Sequence, residues 1–280
     1  SSATKTPVLL LSGTTIDPFD QFGWSYIPVL ESAGYPWCVS VAPEQNMGDI
    51  QVRGEYVVHA IRAMAARTGR KIAVIGHSQG GMVPRWVLRF WPDTRALVAS
   101  VIAVSPSNHG TAFSSTLCTL LCPAALWQQK PDSRFITILN SSPETYAGIS
   151  YSNIYSQFDE VIVPATSSEL SSGAGRIANV AVQSVCPGRP VEHLATGSFD
   201  AVTLALMLDA LAHDGLADPT RIDPAVCSQV TRPEVMTTNA PVDALNAGLN
   251  ILISPLASPL LSAEPEPACY ARPQGCDENP

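Results

Sequence analysis

Charged residues are scarce in this sequence, and basic residues are scarcer than acidic ones. Asp, Glu, Lys and Arg make up 14% of the 280 residues, and 16 Lys and Arg against 24 Asp and Glu leave a net charge of −8. Proteins that bind nucleic-acid backbones or anionic lipid headgroups do so through clustered positive charge. Because the chain has no basic stripe, we expect no nucleic-acid partner.

Long apolar runs and zinc-type cysteine spacings are also missing. No apolar stretch reaches the roughly 20 residues that cross a bilayer, and the longest candidates, near residues 201–208 and 251–261, are both interrupted. We therefore expect no transmembrane segment. The seven cysteines favour an oxidising compartment outside the cytoplasm. The polar residues 1–4 lead quickly into an apolar strand, as in a processed chain, so the sequence predicts a secreted protein.

The most informative motif is G-H-S-Q-G at residues 76–80, with Ser78 at its centre. The motif can occur by chance in a simple turn. Here an apolar run at residues 72–75 precedes it and a helical pattern follows it, which is the context of a nucleophile elbow. In such an elbow the serine has a strained backbone, and the flanking glycines let strand and helix approach each other. We predict that Ser78 is a nucleophile at the carboxyl edge of a sheet.

Apolar runs rich in Ile, Val and Ala are typical of strands buried on both faces of a parallel sheet. The runs that predict strands are residues 7–11, 37–41, 72–75, 98–104, 153–156 and 177–182, and helical patterns cover residues 24–33, 46–68 and 198–212. Alternation of strands and helices predicts the α/β class, with a mostly parallel sheet and helices on both faces. Because no stretch resembles a linker, we expect one domain over residues 1–280.

Two later residues could complete a catalytic triad with Ser78. Asp159 lies just past the predicted strand at residues 153–156, and His193 follows the strand at residues 177–182. The order serine, acid, histidine is that of the α/β-hydrolases. In such a triad the acid orients the imidazole that activates the serine.

The remaining histidines and nearby acids fit less well. The alternatives are His59, His77, His109, His213, Asp200, Asp209 and Asp214. His213 ends a helical pattern, where a cation suits the helix dipole, and the three acids lie in or beside that helix. His59 lies inside the long early helix. His77 and His109 come too early for the triad order.

An acyl-transfer enzyme also needs donors for the oxyanion, each typically worth ~3 kcal/mol in the transition state. In this architecture one donor is the backbone N–H after the nucleophile, here that of Gln79, and another comes from an early loop, here Thr14. The alternative, that Gly13 and Thr14 only turn the chain, stays open.

Taken together, these motifs resemble the α/β-hydrolase lipases over most of the chain. The shared features are the Gly13-Thr14 loop, Ser78-Gln79-Gly80-Gly81, Trp127-Gln128-Gln129, Tyr155-Ser156 with Asp159-Glu160, Cys186 before His193, Cys227, and Tyr270-Ala271-Arg272-Pro273. The resemblance implies an α/β-hydrolase fold, a triad of Ser78, Asp159 and His193, and an oxyanion hole at Thr14 and Gln79. It implies no metal and no organic cofactor.

Details of the pocket and of the cysteines depend on the same resemblance. We expect His77, Ser107 and Gln129 at the substrate pocket. The lipases that the chain resembles have a tryptophan in place of His77 and an aspartate in place of Ser107. The size of their pocket therefore does not predict the size of the pocket in this protein. The implied disulfides are Cys186–Cys227 and Cys269–Cys276. Cys118 and Cys122 are close enough in sequence to bridge locally. Cys38 would then be a buried free thiol.

Residues 111–126 lie between a strand and the Trp127 motif, at the active edge. They predict a short amphipathic helix ended by a proline, with Phe113, Leu117, Leu120 and Leu121 on one face. This segment is a candidate lid, and a helix merely packed on the sheet is the alternative.

The sequence thus predicts a secreted, monomeric, triacylglycerol-lipase-like ester hydrolase acting on an ester or lipid, in part at a transient lipid–water interface. A polyester hydrolase, an acyltransferase and a catalytically silent module that binds an apolar ligand stay open as alternatives.

Overall fold

A parallel sheet of six strands forms the centre of the molecule in the computed structural model, which describes residues 5–236, 240–273, 275 and 276. The strands are β1 (Val8–Leu11), β2 (Trp37–Val39), β3 (Ile72–His77), β4 (Val98–Val104), β5 (Ser150–Tyr155) and β6 (Arg176–Ala181). Their spatial order is β2-β1-β3-β4-β5-β6, and every pairing is parallel. The mostly parallel sheet predicted from the apolar runs is confirmed.

Helices pack on both faces of this sheet. They are α1 (Pro18–Phe22), α2 (Tyr26–Ser32), α3 (Ile50–Thr68), α4 (Gln79–Phe90), α5 (Ala112–Leu117), α6 (Ala124–Gln128), α7 (Arg134–Asn140), α8 (His193–Thr196), α9 (Ala201–Ala212) and α10 (Ala240–Ala257). One core lies under α2 and α9, and the other lies under α3, α4 and α7. Side chains alternate along a strand, so in β3 Ala73 and Ile75 enter the first core while Ile72 and Val74 enter the second.

The long helix α3 begins four residues later than the sequence pattern suggested. Residues 43–46 form a 3₁₀ turn with positive φ at Glu44, Gln45 and Asn46, which no α-helix can contain. The helix then starts after Asp49, whose side chain accepts the backbone N–H of Gln51 at 2.9 Å. At the other end Gly69, with φ 63°, closes the helix as predicted.

One described stretch, His193–Ala212, is long and apolar enough to count as a candidate membrane span. It is weak evidence for one, because 72% of its most apolar window is buried inside the fold. The stretch also consists of two separate helices, α8 and α9.

Three disulfides join the described cysteines: Cys118–Cys122, Cys186–Cys227 and Cys269–Cys276. Cys186–Cys227 and Cys269–Cys276 are the pairings that the resemblance implies, and Cys118–Cys122 is the local bridge that the sequence left open. The prediction for Cys38 was half wrong, because the thiol is free but exposed. Its strand, β2, pairs only with β1 at the end of the sheet, so one side of the residue faces solvent.

Candidate active site

Ser78 lies in the sharp turn between β3 and α4. Its φ of 56° and ψ of −126° are strained for a residue with a side chain. The flanking glycines are required by close contacts: a Cβ on Gly76 would lie 2.1 Å from the oxygen of Gly80, and a Cβ on Gly80 would lie 2.3 Å from the oxygen of Leu11. The sequence therefore folds into the elbow that its motif predicts.

Asp159 and His193 meet at the same edge of the sheet. Asp159 follows β5, and His193 is the first residue of α8, which follows β6. His193 Nδ1 lies 2.8 Å from Asp159 Oδ2 and 3.0 Å from Oδ1, and both side chains are buried. Ser78 and His193 line one cavity.

The Asp159 carboxylate is held in its ionised form. Burial alone would raise its pKa, but the hydrogen bond to His193 and the backbone N–H of Ile162 at 2.7 Å lower the pKa below its ordinary value. An ionised carboxylate accepts the proton on Nδ1 and so leaves Nε2 of His193 free to accept one. The pair has the arrangement of an orienting acid and a general base.

Thr14 lines the cavity, and its hydroxyl is arranged to donate a hydrogen bond. Its Oγ1 accepts hydrogen bonds from Gln79 Nε2 at 3.2 Å and from Gln129 Nε2 at 3.0 Å. These two amides occupy both acceptor positions of the hydroxyl, so its own proton is left to donate. Gln79 is the first residue of α4, where backbone N–H groups have no partner within the helix. Both groups suit an oxyanion.

Two of the three residues expected at the pocket line the cavity, namely His77 and Gln129. Ser107 lies behind them, fully buried, and its Oγ donates to Gln129 Oε1 at 2.9 Å. This bond turns the nitrogen of Gln129 towards Thr14. The structure thus places Ser107 as a support for Gln129 and outside the cavity wall.

His77 packs against the candidate general base. The two imidazole rings lie 4.5 Å apart between centroids. Gln21 Nε2 donates to His77 Nδ1 at 2.7 Å, which leaves the proton of His77 on Nε2, 3.1 Å from the backbone oxygen of His193. Burial, and then the charge of His193, lowers the pKa of His77 well below its ordinary value. Sequence reasoning missed Gln21, which no local pattern marks.

The cavity has a volume of about 520 Å³, and most of its lining surface is apolar. Its walls include Phe113 and Leu117 of α5 and Ala247 and Ile251 of α10. Ser78, His193 and Thr14 are among the polar residues that line it. Such a site fits a substrate with an apolar chain and one reactive polar group.

The segment predicted as a lid forms a shorter helix than expected. Helix α5 ends at Leu117, and residues 118–123 are not helical, so the prediction of one helix through this part was wrong. Phe113 and Leu117 face the cavity, whereas Leu120 and Leu121, beyond the helix, are 79% and 59% exposed. The Cys118–Cys122 disulfide closes the loop between α5 and α6.

Among the described residues, no group of three or more His, Cys, Asp or Glu side chains could hold a metal ion.

Comparison with known proteins gives consistent matches. Residues 5–193 match the family model for lipase (class 2). The chain is 30% identical over 285 residues to lipase B of Pseudozyma antarctica, a match that covers 97% of this chain and 81% of the relative. It is 30% identical over 129 residues to a triacylglycerol lipase of Pseudomonas fragi, covering 44% and 42%. The crystal structure of Aspergillus fumigatus lipase B superposes with a TM-score of 0.86 at 31% identity, covering 96% of this chain and 67% of that one.

Proposed function

This chain belongs to the class 2 lipases and is a carboxylic ester hydrolase of the α/β-hydrolase fold, and we propose that it is a secreted serine hydrolase of hydrophobic esters such as acylglycerols. The observation that carries the proposal is the buried His193–Asp159 pair, at 2.8 Å, together with a strained Ser78 that lines the same mostly apolar cavity as His193.

In the proposed reaction Ser78 Oγ attacks the ester carbonyl carbon while His193 Nε2 takes the serine proton. Asp159 stabilises the imidazolium that forms. The bond between the carbonyl carbon and the alcohol oxygen then breaks, and His193 gives its proton to the leaving alcohol. Water repeats the sequence on the acyl-serine and releases the acid.

The negative charge that develops on the carbonyl oxygen would be stabilised by hydrogen bonds from the Thr14 hydroxyl and the backbone N–H of Gln79. Support for this comes from the two amides that occupy the acceptor positions of Thr14, Gln79 Nε2 and Gln129 Nε2. Donors fixed before the reaction need no reorganisation when the charge develops. We assign both residues to the oxyanion hole.

The substrate would enter between α5 and α10, whose apolar side chains line the cavity. Residues 111–126 serve in this proposal as a small lid within a single domain of residues 1–280. The three disulfides favour an extracellular location. Since one chain supplies every residue of the site, we propose that the monomer is active.

The test uses p-nitrophenyl butyrate and a serine-reactive phosphonate. Wild-type protein should hydrolyse the ester, and Ser78→Ala should lose turnover with its fold intact. The phosphonate should label Ser78 alone, and His193→Ala should prevent labelling while His213→Ala, which removes an exposed histidine, should not. No hydrolysis by fresh wild-type protein, or an adduct on another residue, would refute the proposal.

A further inference from the structure

Arg53 is a buried cation directly beneath the proposed oxyanion hole. It is the fourth residue of α3 and is 4% exposed. Its Nη2 donates to the backbone oxygen of Ser12 at 2.6 Å, and its Nη1 donates to Gln79 Oε1. Ser12 begins the loop that carries Thr14, and Gln79 follows the nucleophile. One guanidinium therefore joins the two chain segments that carry the oxyanion donors.

This charge has no carboxylate partner among the described residues, where no Asp or Glu oxygen forms an ion pair with it. Asp49 and Glu44 line a second cavity with Arg53. The Asp49 carboxylate, however, accepts Gln128 Nε2 at 2.6 Å and the backbone N–H of Gln51 at 2.9 Å. Burial lowers the pKa of Arg53 to about 9, so the guanidinium is still charged at neutral pH.

Arg85 shows how the fold treats another buried arginine. It is 3% exposed and has Glu144 at 3.7 Å, together with the side-chain oxygen of Asn140 at 2.8 Å. Buried charges are normally paired in this way, because an unpaired one is costly. The unpaired charge of Arg53 is consistent with a partner that exists only during turnover.

Arg53 also fixes which way the Gln79 amide points. Because Arg53 occupies Oε1, Gln79 Nε2 faces Thr14 Oγ1 at 3.2 Å and the backbone oxygen of Asn46 at 3.0 Å. If the amide were reversed, Gln79 Oε1 would accept a hydrogen bond from the Thr14 hydroxyl, and the hydroxyl could no longer donate one to the substrate. The contact between Arg53 and Gln79 thus keeps the Thr14 hydroxyl free to donate its hydrogen bond to the substrate.

We propose that Arg53 is a positioning residue of the oxyanion hole: it holds the Gln79 amide that orients Thr14, and its uncompensated charge favours the oxyanion. The inference rests on the proposed function. Because a charge in a buried, water-poor site acts strongly, and because the oxyanion exists only in the transition state, the effect falls on kcat and leaves substrate binding almost unchanged.

The test compares Arg53→Met and Arg53→Lys with Arg85→Met, a matched control that removes the other buried guanidinium. Each variant is measured for kcat and KM on p-nitrophenyl butyrate, with active sites counted by phosphonate titration. The inhibition constant of phenylboronic acid is measured as well, because its tetrahedral adduct with serine carries negative charge.

We expect Arg53→Met to lower kcat by roughly 10- to 100-fold, less than the roughly 100- to 1,000-fold loss typical of removing a whole oxyanion donor. The binding of phenylboronic acid should weaken by a similar factor, with KM changed less than about twofold. Arg53→Lys keeps the charge and should recover part of the boronate affinity. Arg85→Met should lower the melting temperature without changing either quantity per active site. In a Thr14→Val background Arg53→Met should lower kcat by a smaller factor, because Arg53 acts partly through the hydrogen bond that the Thr14 hydroxyl donates.

Unchanged kcat and boronate affinity in Arg53→Met would overturn the proposal, as would losses equal to those of Arg85→Met or full additivity with Thr14→Val. If Arg53→Met does not fold, the same test uses Arg53→Lys: its effects on kcat and boronate affinity are measured alone and combined with Thr14→Val, and full additivity would again overturn the proposal. The two proposals fail separately: an inactive wild type refutes the proposed function, whereas an active wild type with an unaffected Arg53→Met refutes only the role of Arg53.

Discussion

His77 should make the folded protein lose stability as the pH falls below about 6.5. In the fold Gln21 donates to its Nδ1 at 2.7 Å, and its Nε2 lies 3.1 Å from the backbone oxygen of His193. A second proton would have to sit on Nδ1, against the N–H of Gln21. Burial and the charge of His193 therefore keep the pKa of His77 well below its ordinary value, and the folded protein holds the ring neutral.

The sign follows from comparing the folded and unfolded chains. The unfolded chain binds a proton on this histidine near pH 6.5, and the folded protein does not until the pH reaches its much lower folded pKa. Between these two values the unfolded state binds one more proton. The free energy of unfolding should therefore fall by about 1.4 kcal/mol for each pH unit in this window, and above about pH 7.5 His77 should add nothing to its pH dependence.

The assay is urea unfolding of wild type and His77→Gln at several pH values from about 7.5 down to about 5, a range above the titration of ordinary carboxylates. Glutamine keeps an N–H donor but does not titrate there. The substitution will cost packing energy at all pH values, so the informative quantity is the slope. His77→Gln should flatten that slope by one proton. Parallel curves for wild type and His77→Gln would refute the reasoning.

Asp159→Asn should lower kcat on p-nitrophenyl butyrate by about 10⁴-fold, because an amide no longer stabilises the correct tautomer of His193, and near-normal turnover would contradict this role. Thr14→Val should lower kcat by one to a few decades with little change in KM, roughly the ~3 kcal/mol of one donor at most, and an unchanged kcat would show that the hydroxyl is no donor. The Cys118–Cys122 disulfide should limit refolding beside α5, so a soluble ester should be hydrolysed without an interface and activity should rise only a few-fold past the solubility limit. A jump from negligible activity at that limit would show that a larger mobile lid controls access.

The sheet was predictable because each strand leaves a local pattern. The run at residues 98–104 is β4 to the residue, since a strand buried on both faces admits almost nothing polar. The elbow was predictable for a similar reason: the positions of Gly76 and Gly80 are fixed by contacts within the strand–turn–helix unit itself and with β1.

The supports of the candidate site could not be predicted in this way. Gln21 lies in the short helix α1, which no sequence pattern predicted, and Arg53 lies in the ordinary helical pattern of α3. Their partners His77 and Gln79 are 56 and 26 residues away along the chain. The end of α5 at Leu117 was missed because the apolar pattern continues through Leu120 and Leu121, although the chain there no longer has helical geometry. Such features depend on contacts across the fold, which a pattern along the chain does not record.

The residue before the nucleophile links the shape of the pocket to the position of the general base. The His77 ring fills the space between Gly13 and Gly197: a Cβ on Gly197 would lie 2.4 Å from the ring, and one on Gly13 would lie 3.1 Å from Nδ1. The same ring lines the cavity and bonds to the backbone of His193. A side chain of another size at this position loses the bond to the His193 backbone and presses on Gly13, on Gly197 or into the cavity. We therefore expect a change made there to alter substrate choice to affect the placement of the general base as well.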